Sequence, residues 1–172
     1  MSLIFLRHTR PDVPDGTCYG RTDIGLAPGF EETAGHILRT LPDIDHIVSS
    51  PLMRCRLLAN AVATRRNLAV SINDDLAEMD FGAWENSSWN AIPRAELDEW
   101  AKDFLHARPH NGESVAMLQI RVRRALKNRS KGVTLWVSHG GLYRALLAET
   151  EHPDPWNAKI GFGEFDILNI PN

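Results

Sequence analysis

Two histidines far apart in the chain each end an apolar, strand-forming run. Leu3-Ile4-Phe5-Leu6 leads into Arg7-His8, and Val133-Thr134-Leu135-Trp136-Val137 leads into Ser138-His139-Gly140-Gly141. A strand that stops at a histidine sets an imidazole at its carboxyl end, the edge where open α/β sheets bind ligands. Neutral imidazole keeps a lone pair on one ring nitrogen at neutral pH and can attack phosphorus. The Arg7 guanidinium beside His8 is permanently charged and can take phosphate oxygens bidentately. At the other strand end, Gly140 and Gly141 let backbone come close to a ligand, and the helix expected to follow aims free N–H groups at it. Two imidazoles with arginine and a helix start point to chemistry on a phosphate.

Two more segments extend this set. Ser49-Ser50-Pro51-Leu52-Met53-Arg54 follows the apolar His46-Ile47-Val48. Ser50 suits a helix N-cap and Pro51 the first helical position, which places Arg54 in the first turn, at the end that favours an anion. Arg56, two positions on, faces elsewhere and is expected in solvent. The run Asp75 to Glu85 carries Asp75, Glu78, Asp80 and Glu85 beside Phe81 and Trp84. A carboxyl kept protonated by burial can give its proton to a leaving oxygen. Spacing does not say which of the four does so.

Other suggestive residues weaken on inspection. His106 and His110 have metal-like i,i+4 spacing, but Arg108-Pro109 should break a helix between them. No Cys/His cluster reads as a metal site, so neither a metal nor a cofactor is expected. Arg121, Arg123, Arg124, Lys127, Arg129 and Lys131 form a basic run that reads as the solvated face of an amphipathic helix, not a nucleic-acid surface. His36, His46 and His152 show no partner. Arg144, one turn into the last helix, reads as structural.

The elements that must position these groups alternate. Strands are expected at 2–6, 45–49, 69–72 and 132–138, and helices at 30–41, 51–66, 92–106, 113–129 and 141–149. That order describes an α/β fold of three layers, α/β/α, with a mainly parallel central sheet. The alternating run Phe162 to Ile170 can add an antiparallel edge strand. Two connections are long, 9–29 and 74–91, and loops of that length are usually functional or disordered. Their aromatic residues favour an ordered, functional role.

The chain has 172 residues, 43% hydrophobic and 24% charged, which suits one domain spanning 1–172 with a single core. A net charge of -3 gives no bulk attraction to nucleic acid or to an anionic membrane. Cys18 and Cys55 are too few for a disulfide framework and read as ordinary thiols. No secretory signal and no membrane-length apolar run is present, so a cytoplasmic location is expected. No feature of the sequence sets an oligomeric state.

Taken together, the segments resemble the histidine phosphatase superfamily, the group that contains cofactor-dependent phosphoglycerate mutase and related phosphatases. The resemblance runs from Leu3 to near Leu147. It is carried in order by Leu6-Arg7-His8, Ser49-Ser50-Pro51-Leu52-Met53-Arg54, Leu76-Ala77-Glu78 with Phe81-Gly82-Ala83-Trp84-Glu85, Gly112-Glu113-Ser114, and Val137-Ser138-His139-Gly140-Gly141. It implies a phosphoglycerate mutase-like fold and a metal-independent phosphomonoesterase working through phosphohistidine on a small phosphorylated metabolite. On that resemblance His8 is the nucleophile, Arg7, Arg54 and His139 surround the phosphoryl group, and Glu78 is proton donor and later base. Phosphoryl transfer asks for positioning and charge neutralisation more than covalent help, which this set offers.

Two positions depart from the family pattern. Thr9 stands where the family usually has Gly, and Pro14 where many members carry an Asn that helps hold phosphate. Thr9-Arg10-Pro11 with Cys18-Tyr19-Gly20-Arg21-Thr22-Asp23 is most similar to the α-ribazole-5′-phosphate phosphatase branch, which removes a phosphate late in cobalamin assembly. That likeness implies α-ribazole 5′-phosphate as the substrate, with Arg21 or Thr22 as a substrate contact from their place in the glycine-rich loop, while Gly140 is expected to contact it from the strand–helix junction. Tyr19, Trp84 and Trp89 offer rings for its base, or for the core. Two alternatives stay open: a phosphoglycerate mutase, although such mutases are usually longer, and a non-catalytic phosphate-binding module.

Overall fold

A computed structural model describes residues 2–170. Its elements run β1 (Ser2–Arg7), β2 (Thr17–Cys18), α1 (Phe30–Thr40), β3 (His46–Ser49), α2 (Met53–Arg66), β4 (Val70–Ile72), β5 (Ser87–Ser88), α3 (Arg94–Lys102), α4 (Val115–Lys127), β6 (Thr134–Ser138), α5 (Gly140–Glu149) and β7 (Phe165–Asn169). Five strands form one sheet in the order β4-β3-β6-β1-β7. β1, β6, β3 and β4 are parallel, and β7 pairs antiparallel along β1.

Side-chain alternation along the strands builds the layers. Leu3, Phe5 and Trp136 point to the face covered by α4 and α5, with Leu118, Val122, Leu142 and Leu146. Ile4, Leu6, Leu135, Val137 and Ile47 point to the other face, where α1 and α2 bring Ile37, Leu58 and Val62. Because both faces are covered, the inner strands are apolar at nearly every position. This is the three-layer α/β/α arrangement with one antiparallel edge strand.

The register places the chemistry. Arg7 lies opposite Ser138, so His8 and His139 are the next residues of adjacent strands, and the His8 N–H donates to the Ser138 carbonyl at 3.0 Å. From β1 the chain passes to α1 on one face; from β6 it passes to α5 on the other. The crevice between their carboxyl ends is the switch point at which such sheets take ligands.

The two long connections are ordered against each other. β2 pairs with β5, joining Thr17 to Ser88 and Cys18 to Ser87. Beneath this ribbon Cys18, Trp84 and Ile92 form a small core with Phe81, Trp89 and Trp100 at its margin. Trp84 is only 2% exposed, and its Nε1 donates to Glu96 at 2.6 Å. It is a core ring and cannot stack on a substrate base.

Several local expectations need correction. α2 starts at Met53, not at Pro51, and Ser50 turns its hydroxyl to His139. α3 stops at Lys102, short of His106 and His110. His106 is exposed, while buried His110 accepts the Gly112 N–H through Nδ1 at 2.9 Å. Arg123, Arg124 and Lys127 face solvent as expected, but Arg121 lies three residues beyond Leu118 on the buried stripe and is itself buried. His46 and His152 do have partners, the Lys131 carbonyl and the Asp154 N–H. Among the described residues no helix is long and apolar enough to cross a membrane.

Candidate active site

His8 leaves β1 into a buried position, 1% exposed. Its Nδ1 lies 2.7 Å from the Thr9 carbonyl oxygen. That oxygen can only accept, so Nδ1 carries the proton and the lone pair stays on Nε2. Burial, followed by the charge of Arg54, pushes the imidazole pKa down to about 3; the Thr9 bond opposes this and Arg7 adds to it. At neutral pH the ring is therefore uncharged, with its free nitrogen chosen by the backbone. Thr9, although a departure from the family pattern, contributes the one group that matters here, its carbonyl.

His139 caps α5 through its backbone and is fully buried. Its ring centroid sits 5.1 Å from that of His8. Nε2 is 2.7 Å from Ser50 Oγ and 3.4 Å from Cys55 Sγ. Burial holds its pKa well below the usual histidine value, with repulsion from His8, Arg54, Arg121 and Arg7 acting in the same direction. Burial also pushes the Cys55 thiol up and the Cys18 thiol up to about 12, so both stay protonated.

Arg54 rises from the first turn of α2 and is buried. Its Nη1 and Nη2 donate to the carbonyls of Thr22 and Gly20 at 2.8 and 2.7 Å. Arg7 donates through Nη1 to the Ile160 carbonyl at 2.7 Å, and its Cζ lies 3.9 Å from the centre of the Phe162 ring. The Nε of each guanidinium is buried with no acceptor among the described residues. Buried donors of that kind call for an explanation, and an anion between the two arginines supplies one.

Glu78 comes in from the loop before β5. Its Oε2 accepts the Gly141 N–H at 3.0 Å and its Oε1 the Met79 N–H at 2.9 Å. A Cβ on Gly141 would lie 2.4 Å from Glu78 Oε1, and one on Gly140 3.3 Å from Arg7 Cζ. The glycine pair makes room for Glu78 and Arg7.

A cavity of 580 Å³ opens over this group, with Arg7, Tyr19, Glu78, Gly140, Trp89 and Phe162 in its wall. His8, Arg54 and His139 lie beneath the wall. Pro14 stands in the wall, where it offers a ring and no N–H donor. Arg144 also faces the cavity, its Nε donating to the Ala158 carbonyl at 3.1 Å, so it is more than a helix residue.

Arg21 and Thr22 are outside the wall. Their backbone N–H groups donate to the Glu85 carboxylate, each at 2.8 Å, as does the Thr22 hydroxyl. The Arg21 Nε reaches the Glu78 carbonyl at 3.3 Å. Both residues brace the site from behind. Sequence reasoning passed over Glu85 as the clasp of this loop, Ser50 as the partner of His139, and Arg121 with Glu113 behind Glu78. Glu85, Ser50 and Glu113 stand in the signatures of the sequence without these roles, and Arg121 shows as a charge inside the apolar stripe of a helix.

A mainly parallel sheet with two neutral imidazoles, the buried Arg54 and the half-buried Arg7 at its switch point defines an α/β protein with an anion-seeking pocket. Residues 3–166 match the model of the histidine phosphatase superfamily (branch 1), and the chain belongs to that family. It is 31% identical to the adenosylcobalamin/alpha-ribazole phosphatase of Escherichia coli (strain K12), over 99% of this chain and 90% of that protein. The alpha-ribazole phosphatase structure from Shigella flexneri superposes with a TM-score of 0.86 at 28% identity, covering 99% of this chain and 91% of that one. A phosphoglycerate mutase structure from Thermus thermophilus gives 0.80 at 26% identity, with 99% and 94% covered. The chain spans 34% of the length of the agropine synthesis reductase of Rhizobium rhizogenes, to which it is 32% identical over 84% of its own residues.

Proposed function

We propose that this protein is a metal-independent phosphomonoesterase that works through a phosphohistidine. The observation that carries the reading is the His8 Nδ1 bond to the Thr9 carbonyl, which leaves Nε2 free beside the buried Arg54 and the half-buried Arg7. In the first step His8 Nε2 forms a bond to phosphorus while the bond from phosphorus to the ester oxygen breaks. The Glu78 carboxyl gives its proton to that oxygen, and the alcohol leaves. In the second step water attacks phosphorus, the Glu78 carboxylate takes the water proton, and the N–P bond breaks to release phosphate. Arg7 and Arg54 neutralise the phosphoryl oxygens throughout and neutral His139 can only hydrogen-bond them, so the pocket supplies positioning and charge.

The substrate reading is α-ribazole 5′-phosphate. Tyr19, Phe81, Trp89 and Phe162 give the cavity an aromatic wall suited to a flat base. The Escherichia coli and Shigella flexneri relatives bear that activity in their names. A mutase is the second reading, favoured by Arg10, Arg144 and Lys159 at the cavity wall, which can hold a carboxylate. Phosphate release measured across metabolite phosphates, with α-ribazole phosphate and phosphoglycerates included, tests both. The first reading expects release, fastest from α-ribazole phosphate. Isomerisation of phosphoglycerate with negligible release would sink it in favour of the second.

A further inference from the structure

Between Ala77 and Phe81 the chain follows neither helix nor strand, so its backbone groups need partners from elsewhere. One side chain holds two of its carbonyls and a third just before it. Arg121, 6% exposed, donates through Nη1 to the carbonyls of Asp75 and Ala77 at 2.7 and 2.6 Å, and through Nη2 to that of Glu78 at 3.0 Å. Its Nε and Nη2 also donate to the two carboxylate oxygens of Glu113 at 2.7 and 3.0 Å. Five bonds use the five hydrogens of a guanidinium. Glu113, itself buried, grips the far side of the loop. Its N–H donates to the Asp80 carbonyl at 2.7 Å, and its Oε2 accepts the Asp80 N–H at 3.4 Å. Arg21 closes the group, with Nη2 3.7 Å from Glu113 Oε2.

We infer that Arg121, locked by Glu113, is the positioning residue for Glu78: it fixes the backbone from which the carboxyl reaches the leaving oxygen. The inference rests on the reading of Glu78 as proton donor. The carboxyl itself is engaged by Gly141 and Met79, so Arg121 acts only through the main chain. Stability alone does not call for a buried ion pair, since well-packed apolar side chains often serve as well. A lysine cannot take its place, because one ammonium cannot span three carbonyls and a carboxylate.

The test compares kcat/KM on two substrates. 2,4-Dinitrophenyl phosphate loses a leaving group that needs no proton, whereas glycerol phosphate loses an alkoxide that does. Glu78→Gln calibrates the skew, with about 100-fold lost on the alkyl ester and only a few-fold on the aryl ester. Arg121→Lys and Glu113→Gln are expected to show the same skew, about 10-fold or more, while circular dichroism shows them folded. An equal loss on both substrates, or none, overturns the inference. If Arg121→Lys does not fold, the isosteric Glu113→Gln carries the test. If Glu78→Gln itself shows no skew, the proton-donor reading fails and takes the inference with it. A skew in Glu78→Gln without one in the other two variants removes the inference alone.

Discussion

The two sides of the site are held in opposite ways. His8 and His139 end paired strands, so their separation is inherited from a ladder of backbone hydrogen bonds between β1 and β6. Glu78 stands on irregular chain whose backbone is held by the side chains of Arg121, Glu113 and Arg21, while the Gly141 N–H holds its carboxyl. A ladder spreads its load over many bonds, whereas a side-chain bracket depends on a few residues that can be removed one at a time. Substitutions at the strand ends should therefore remove chemistry and leave geometry intact. Substitutions around Glu78 should misplace chemistry that is still present.

That contrast can be broken at several points. His8→Ala has the largest expected effect, a loss of about 10⁴-fold or more in kcat on an aryl phosphate, as for other covalent nucleophiles. Its thermal unfolding should stay near wild type, because the ladder is untouched. Full retention of turnover would overturn the nucleophile assignment.

Gly141→Ala should come next. The new methyl would lie 2.4 Å from Glu78 Oε1 and must displace that carboxyl. Displacement on the scale of about 1 Å costs about 100-fold in rate, so kcat/KM on an alkyl phosphate should fall by that order. Unchanged kinetics would mean that the Glu78 seat is not where the carboxyl acts.

Acid probes the histidine side, with buried His110, whose pKa burial also lowers, adding to the same slope. The pKa values of His8 and His139 are lowered in the folded protein, so below the ordinary histidine value of 6.5 the unfolded chain takes up protons that the folded chain does not. Their contribution to stability is thus complete above pH 6.5 and is lost as pH falls toward about 3 for His8. The slope is about 1.4 kcal/mol per pH unit for each histidine. Urea unfolding at pH 7, 6 and 5 measures it, and His139→Gln should make it shallower. A slope unaffected by that variant would contradict the buried neutral state.

Ser50→Ala has the smallest expected effect. It removes the 2.7 Å partner of His139 Nε2 and should cost about 1 kcal/mol of stability, read by the same unfolding series. A cost of several kcal/mol would mean that Ser50 carries more of the strand end than one hydrogen bond.

How far the sequence could be read follows the same division. Period-2 and period-3.6 patterns are local, and they located the main-sheet strands, the helices and both strand-ending histidines to within a few residues. Arg54 was placed in the first turn of α2 by residues adjacent to it, though with the wrong cap, since Ser50 is drawn away to His139. The basic run at 121–131 misled because charge is normally solvated. Arg121 is buried only because the loop at 75–80 needs donors, a demand arising more than 40 residues earlier in the chain.

Composition, periodicity and the residues beside each strand end were enough to determine an α/β sheet with His8 and His139 at one edge. Those features depend on the backbone and on near neighbours alone. Which nitrogen of His8 is free, why both imidazoles are neutral, and why Arg21 and Thr22 brace the site instead of lining it were decided by tertiary structure. Each depends on burial and on partners brought from distant segments: Glu85 clasping the loop at 20–22, and Arg121 with Glu113 carrying Glu78. Hydrogen bonds between groups so far apart in sequence exist only once the layers have packed.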